Sequence, residues 1–169
     1  NASNPQPHRL YLDVGGINET LVSNSTQADG IDNTVIVKGV KPNQVTTPLL
    51  TLIQRLIGVM QVPITNKDIK DISKHGPQGH LLIHVTFKMK YHMELFLKQK
   101  HKLKKNPEMS QIRIHELLNS ETEALFQYTH KLKNADYKII YVENKKVYVK
   151  KHQHSQPINI RTRDDVDTL

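Results

Sequence analysis

Between Thr34 and Lys105 the spacing of apolar residues switches between a period of 2 and a period near 3.6, and this constrains the fold more than any other feature of the chain. Val35-Ile36-Val37 is a β-branched run closed by Gly39 and Pro42, which reads as a short strand. After Thr46-Thr47-Pro48 the apolar residues Leu49, Leu50, Leu52, Ile53, Leu56, Ile57 and Met60 recur at three and four. That spacing predicts an amphipathic helix with a threonine cap and Pro48 in its first turn, ended by Pro63. Ile69-Lys70-Asp71-Ile72 reads as a second short strand, and His75 to Gly79 as a turn. From His80 to Phe87 the chain alternates: Leu81, Ile83, Val85 and Phe87 share one face, and Leu82, His84 and Thr86 the other. Tyr91 to Lys105 returns to helical spacing, with Met93, Phe96, Leu97 and Leu103 among lysines. The order β-α-β-β-α supplies the first five elements of a ferredoxin-like βαββαβ sheet.

Pro107 marks a boundary, and a smaller unit follows. Ile112-Arg113-Ile114 is a short strand. Ser120-Glu121-Thr122-Glu123 is a capping box that opens a helix running to about Asn134. Tyr137–Val142 and Lys146–Lys151 alternate around Asn144-Lys145, a hairpin signal. Ile158-Asn159-Ile160 is a further strand, and Thr162 to Asp165 a second capping box. The fold class is therefore α+β, with a ferredoxin-like domain over 32–106 and a small α+β domain over 107–169. Residues 1–31 form a polar arm or linker, in which only Leu10-Tyr11-Leu12-Asp13-Val14 has the character of a strand, ended by Gly15-Gly16. Asn-X-Ser/Thr triplets at Asn1, Asn18 and Asn24 arise by chance in such a composition. The first residue is not Met, so the chain reads as a fragment or a processed form.

The residue inventory excludes most chemistry. The 169 residues contain no cysteine, which removes disulfides, thiol catalysis and Cys-zinc sites, and fits an intracellular protein, whether nuclear or cytoplasmic. No stretch approaches the roughly 18 apolar residues of a membrane span. Gly15-Gly16 and Gly39 lack the spacing of a phosphate loop, no serine sits in a nucleophile elbow, and no carboxylate pair lies in an apolar context. We therefore expect no enzyme, catalytic residue, metal or cofactor. His80 and His84 lie too far apart on a strand to share a metal, and His152-Gln153-His154 lacks a third ligand. The histidines read as polar surface residues.

What remains is charge. The net charge is +8, and it is unevenly spread. Residues 33–105 carry 13 basic and 3 acidic residues, and from Lys138 to Arg163 seven basic residues stand against Glu143. Such segments attract polyanions. An RNA-recognition sheet stacks bases on aromatic residues of its first and third strands. Here the outward positions are Ile36, Leu82 and His84, of which His84 alone can stack, and an element covering that face is the plain alternative. Binding would then rest on phosphate contacts. The expected surface is the groove between the two domains, lined by Lys88, Lys90, Lys102, Lys104 and Lys105 on one side. On the other stand Arg113, Lys145, Lys150, Lys151, Arg161 and Arg163. Arg113, between inward Ile112 and Ile114, either holds a phosphate or stacks on a base, or else pairs with Glu116 or Glu143.

Several segments together resemble a known family. Asp32-Asn33-Thr34-Val35-Ile36-Val37-Lys38-Gly39-Val40 begins the likeness, which continues through Val85-Thr86-Phe87-Lys88. It is sharpest in Ile112-Arg113-Ile114-His115-Glu116-Leu117-Leu118, in the hairpin Tyr137 to Lys151, and in the ending Ile158 to Leu169 with its Asp164-Asp165-Val166-Asp167-Thr168-Leu169. Over about residues 32–169 the chain resembles the baculovirus few-polyhedra (FP) protein family. More distantly it resembles the nucleic-acid-binding part of the first-open-reading-frame protein of LINE-type retrotransposons. The resemblance implies an RRM-like domain followed by an FP-type C-terminal domain, together gripping single-stranded nucleic acid. It also implies an upstream coiled coil that makes homo-oligomers, although residues 1–31 show no heptads.

Two functions follow as expectations. The first is non-enzymatic binding of single-stranded nucleic acid, RNA favoured, with low sequence selectivity. The second is a protein-interaction or scaffolding module derived from a transposon or viral protein, with nucleic-acid binding reduced or lost, in which Leu10–Val14 augments a sheet edge, its own or a partner's.

Overall fold

The computed structural model describes residues 9–11, 18–21, 32–77 and 79–169. The chain forms two compact units that divide between His115 and Glu116.

In the first unit, β1 (Arg9–Tyr11), β2 (Asn18–Leu21), β3 (Thr34–Lys38), β4 (Ile69–His75), β5 (Leu82–Phe87) and β6 (Arg113–Glu116) make one sheet in the order β1-β2-β4-β5-β3-β6. Helix α1 (Leu49–Met60) links β3 to β4, and α2 (Lys90–Gln99) leads from β5 toward β6. From β3 to β6 this is the expected βαββαβ succession, with β5 antiparallel to both β3 and β4. The alternation of the strands decides the layers. Val35, Val37, Ile72, Ile83, Val85 and Phe87 bury one sheet face against Leu52, Ile53, Leu56 and Met60 of α1 and Met93 and Phe96 of α2.

The boundary expected between 106 and 107 lies further along. The strand around Arg113 belongs to the first sheet, hydrogen-bonded beside β3, because Ile112 and Ile114 join the first core. Gly39, at φ +81°, lets the chain leaving β3 lie against the backbone at Gln111 and Ile112.

The arm also departs from expectation. Arg9–Tyr11 is a strand, but so is Asn18–Leu21, which composition gave no reason to expect. β2 pairs in parallel with β4, and β1 pairs antiparallel with β2. The remaining Leu12–Val14, Gly15-Gly16 and the triplets at Asn1 and Asn24 lie outside the described residues. At α1, the helix starts at Leu49 with Pro48 in the cap position, and Thr46 Oγ1 accepts from Leu52 N at 3.0 Å. The helix expected to reach Lys105 ends at Gln99 and tightens into a 3-10 turn over Lys100–Lys105.

The second unit holds α3 (Ser120–Thr129), the antiparallel sheet of β7 (Ile139–Glu143), β8 (Lys146–Lys150) and β9 (Ile158–Ile160), and α4 (Arg163–Asp167). Leu118, Phe126, Leu132, Val147, Val149, Ile160 and Val166 form its core. Asn144 and Lys145 both take positive φ, 51° and 64°, as a two-residue hairpin turn requires. The cap of α3 is Asn119, one residue before the expected serine: its side chain accepts from Thr122 N at 2.8 Å. The box at Thr162 forms as expected, with Asp165 accepting from the backbone N–H groups of Arg161 and Thr162.

Candidate nucleic-acid interface

The second face of the large sheet is buried over much of β3, β4 and β5 and at His115 of β6. Thr34, Ile36, Ser73, His75, His84 and His115 all lie on it or at its rim, and all are buried. Ile36 stands opposite His84 in register, with 3% and 8% exposure. His75 stacks on His84 at 3.8 Å and 24°, and the Ser73 hydroxyl lies 2.7 Å from His75 Nε2. Burial pushes the His75 imidazole below its ordinary pKa. The expectation that the histidines are surface residues fails for His75, His84 and His115, since strand alternation carries them onto a covered face. His84 is accordingly no stacking platform for a base.

The cations of the first unit fall into separate places. Lys88 and Lys90 flank exposed Met89 and precede exposed Tyr91 at the corner between β5 and α2. Lys104 and Lys105 lie beyond the far end of α2. At about 1.5 Å per helical residue and about 2 Å per 3-10 residue, the two pairs stand roughly 20–25 Å apart. These four lysines are exposed; Lys88 stands near Asp68, and no side-chain hydrogen bond or ion pair holds the other three among the described residues. Lys102 is half-buried and reaches Gln61 Oε1 at 3.5 Å. Arg113 is exposed on β6, as its alternation requires. Its guanidinium donates to the carbonyls of Ser110 at 2.6 Å and Ile112 at 3.1 Å, and is paired with neither Glu116 nor Glu143. Two of its five N–H groups are thereby used.

In the second unit several expected site residues are committed to the fold. Lys145 Nζ donates to Leu117 O at 2.9 Å and lies 4.0 Å from the Glu116 carboxylate, whose other oxygen accepts from Lys145 N. The hairpin turn aims this side chain back at the chain leaving β6, where it helps hold the turn. Arg163 lies 4.8 Å over the Tyr128 ring, and Lys131 lies 4.0 Å from the same ring. Tyr128 Oη and Lys131 Nζ both donate to Asp167, at 2.7 and 2.9 Å. The hydrogen bond from Lys131 holds the Asp167 carboxyl below its usual range, and Asp167 in turn raises the Lys131 ammonium. Lys150 donates to Gln153 O at 2.6 Å. Lys151 is exposed near the Tyr137 ring, and Arg161 is exposed.

One constellation was missed by reasoning from charge. Tyr141 and Tyr148 stand opposite each other in register, with ring centroids 5.4 Å apart and planes at 20°. Both are half-buried, on the sheet face away from Val147 and Val149. Burial, with Glu143 and Tyr148 nearby, raises the Tyr141 phenol above its ordinary value. The signal was present in the alternation of the hairpin, where Tyr141 and Tyr148 fall symmetrically about Asn144-Lys145.

Among the described residues no group of three His, Cys, Asp or Glu side chains is placed to hold a metal ion, and no helix is long and apolar enough to cross a membrane. Residues 119–169 match the family of baculovirus FP protein domain 2. No curated protein matches the chain.

Proposed function

We propose that the chain is a non-enzymatic protein that binds single-stranded nucleic acid, RNA in preference, through phosphate contacts with low sequence selectivity. The carrying observation is the surplus of uncommitted cations on the first unit. Residues 33–115 hold 14 basic and 4 acidic residues, and Lys90, Lys104 and Lys105 are exposed with no side-chain hydrogen bond or ion pair among the described residues, while exposed Lys88 stands near Asp68. The strand order from β3 to β6 supports an RRM-like reading of that unit. The covered sheet face argues for phosphate contacts over base stacking there. The match over residues 119–169 supports kinship with baculovirus FP proteins, and the retrotransposon link is part of the same proposal. The protein-partner reading draws on the sheet face without aromatics and on Leu10–Val14 as a strand that augments its own or a partner's sheet; Leu10 and Tyr11 pair with the chain's own β2.

The test is the salt dependence of Kd for a mixed-sequence single strand. Neutralising about four phosphates gives a slope near −2.8 in log K against log salt, so affinity falls roughly 50-fold between 50 and 200 mM salt. A fall of less than about threefold refutes phosphate neutralisation as the mechanism.

A further inference from the structure

We propose that the outer face of the three-stranded sheet β7-β8-β9 is a base-stacking platform centred on Tyr141 and Tyr148, whose occupant is an unpaired stretch of nucleic acid. This deepens the nucleic-acid reading above and rests on it, but it assigns a different contact on a different surface.

The face is set by alternation. Val147 and Val149 of β8, and Ile158 and Ile160 of β9, turn to the core side. Ile139, Tyr141 and Glu143 therefore share the opposite side with Lys146, Tyr148, Lys150 and Asn159. In register the rows across the sheet are Ile139 with Lys150, Tyr141 with Tyr148 and Asn159, and Glu143 with Lys146. No helix of this unit covers that side: Phe126 of α3 and Val166 of α4 pack into the core on the other. The tyrosine rings already form an offset stack, and an aromatic base extends such a stack by the same dispersion and quadrupole terms.

Charge complementarity chooses the occupant. The face carries Lys146 and Lys150, and Lys138 and Lys151 are exposed at the open end of the hairpin. Its one acid, Glu143, sits opposite Lys146. Lys150 spends one ammonium hydrogen on Gln153 O and keeps two. Planar aromatic rings amid cations, with an amide at Asn159, fit a chain that offers both bases and phosphates. A duplex offers the phosphates but keeps its bases stacked inside.

The competing account is that the tyrosines merely brace the hairpin as a cross-strand pair. Three full-length variants separate the two: Tyr141→Leu with Tyr148→Leu, Tyr141→Phe with Tyr148→Phe, and Lys146→Ala with Lys150→Ala. The measurements are Kd for a mixed 12-nucleotide single strand and for a duplex of equal phosphate count, and a thermal melt. The leucine pair keeps apolar cover and loses the π-faces, so single-strand Kd rises roughly ten- to a hundredfold. Its salt slope and its duplex affinity stay unchanged, and the phenylalanine pair binds as the parent does. The lysine pair lowers the salt slope instead. Parental single-strand affinity in a leucine pair that melts like the parent overturns the platform while leaving phosphate binding intact. If the leucine pair does not fold, ultraviolet cross-linking of the parent chain decides: adducts on the 139–150 peptide support the platform, and adducts elsewhere alone overturn it. A parent chain that binds neither strand at low salt overturns both readings.

Discussion

Replacing Gly39 with alanine tests the placement of β6, on which the boundary between the units depends. Gly39 has φ +81°, where a Cβ costs about 1–2 kcal/mol against the following carbonyl. The added Cβ would also fall well inside contact distance of Gln111 O, with Gln111 C at 3.2 Å and Ile112 Cα at 3.4 Å. These are backbone atoms, so no side chain can swing away, and the segment entering β6 must shift from β3. Overpacking of that kind adds about 1–3 kcal/mol, for a total of about 2–5 kcal/mol. With a urea m-value of about 1–3 kcal/mol/M, the midpoint of the first unit should fall by at least about 0.7 M. The assay is urea unfolding followed by far-ultraviolet circular dichroism, combined with amide exchange at Ile112 and Ile114. Both amides should lose protection before those of β4 and β5. A midpoint within about 0.3 M of the parent, with Ile114 protection intact, would falsify the claim that the chain around Gln111 packs on Gly39 and that β6 completes the first sheet.

Gly58→Ala is the matched opposite: it lies within α1 with nothing within 4 Å of a new Cβ, and should stabilise by about 0.5–1 kcal/mol in the same unfolding assay. Asn119→Ala removes the acceptor for Thr122 N and should cost about 1 kcal/mol, read as a lower melting temperature, whereas Ser120→Ala should change it little. His75 has a folded pKa below its unfolded value, so its contribution is fully present above about pH 6.5 and is lost as pH falls through the folded pKa. Melting temperature should therefore drop between pH 7.5 and 5.5, and His75→Phe should flatten that drop; an unchanged slope in the variant would remove His75 as its cause.

Most of the first unit was legible because its elements are amphipathic. The apolar spacing of Leu49 to Met60 and the alternation of Leu81 to Phe87 each leave one consistent way to bury a face, and the structure buries those faces. The sixth strand was visible as Ile112-Arg113-Ile114, but its partner was not. Nothing in a short apolar pair states which core it enters, and Pro107 reads as punctuation whether or not the domain ends there. Asn18–Leu21 was illegible for a different reason. Asn-Glu-Thr-Leu has weak strand propensity, and its pairing comes from the open edge of β4, which the local sequence does not carry.

The candidate site divides along a similar line. Counting charges locates segments rich in lysine, but it cannot tell a lysine that faces solvent from one that holds the fold. Lys145 and Lys104 look alike in the sequence. Yet the positive φ at Lys145 turns its ammonium onto Leu117 O, while Lys104 lies exposed on a 3-10 turn without a partner among the described residues. Arg163 is likewise drawn onto Tyr128, at a distance of 35 residues that no local pattern reports. The tyrosines show the reverse. Tyr141 and Tyr148 are plain in the hairpin, and register alone, read outward from Asn144-Lys145, pairs them. A search for aromatic residues confined to the first and third strands of the large sheet passes over them, because the unit with the stronger charge is not the unit with the aromatic face. The larger cationic surplus lies in the first unit, while the tyrosine pair, with Lys146 and Lys150 beside it, lies in the second.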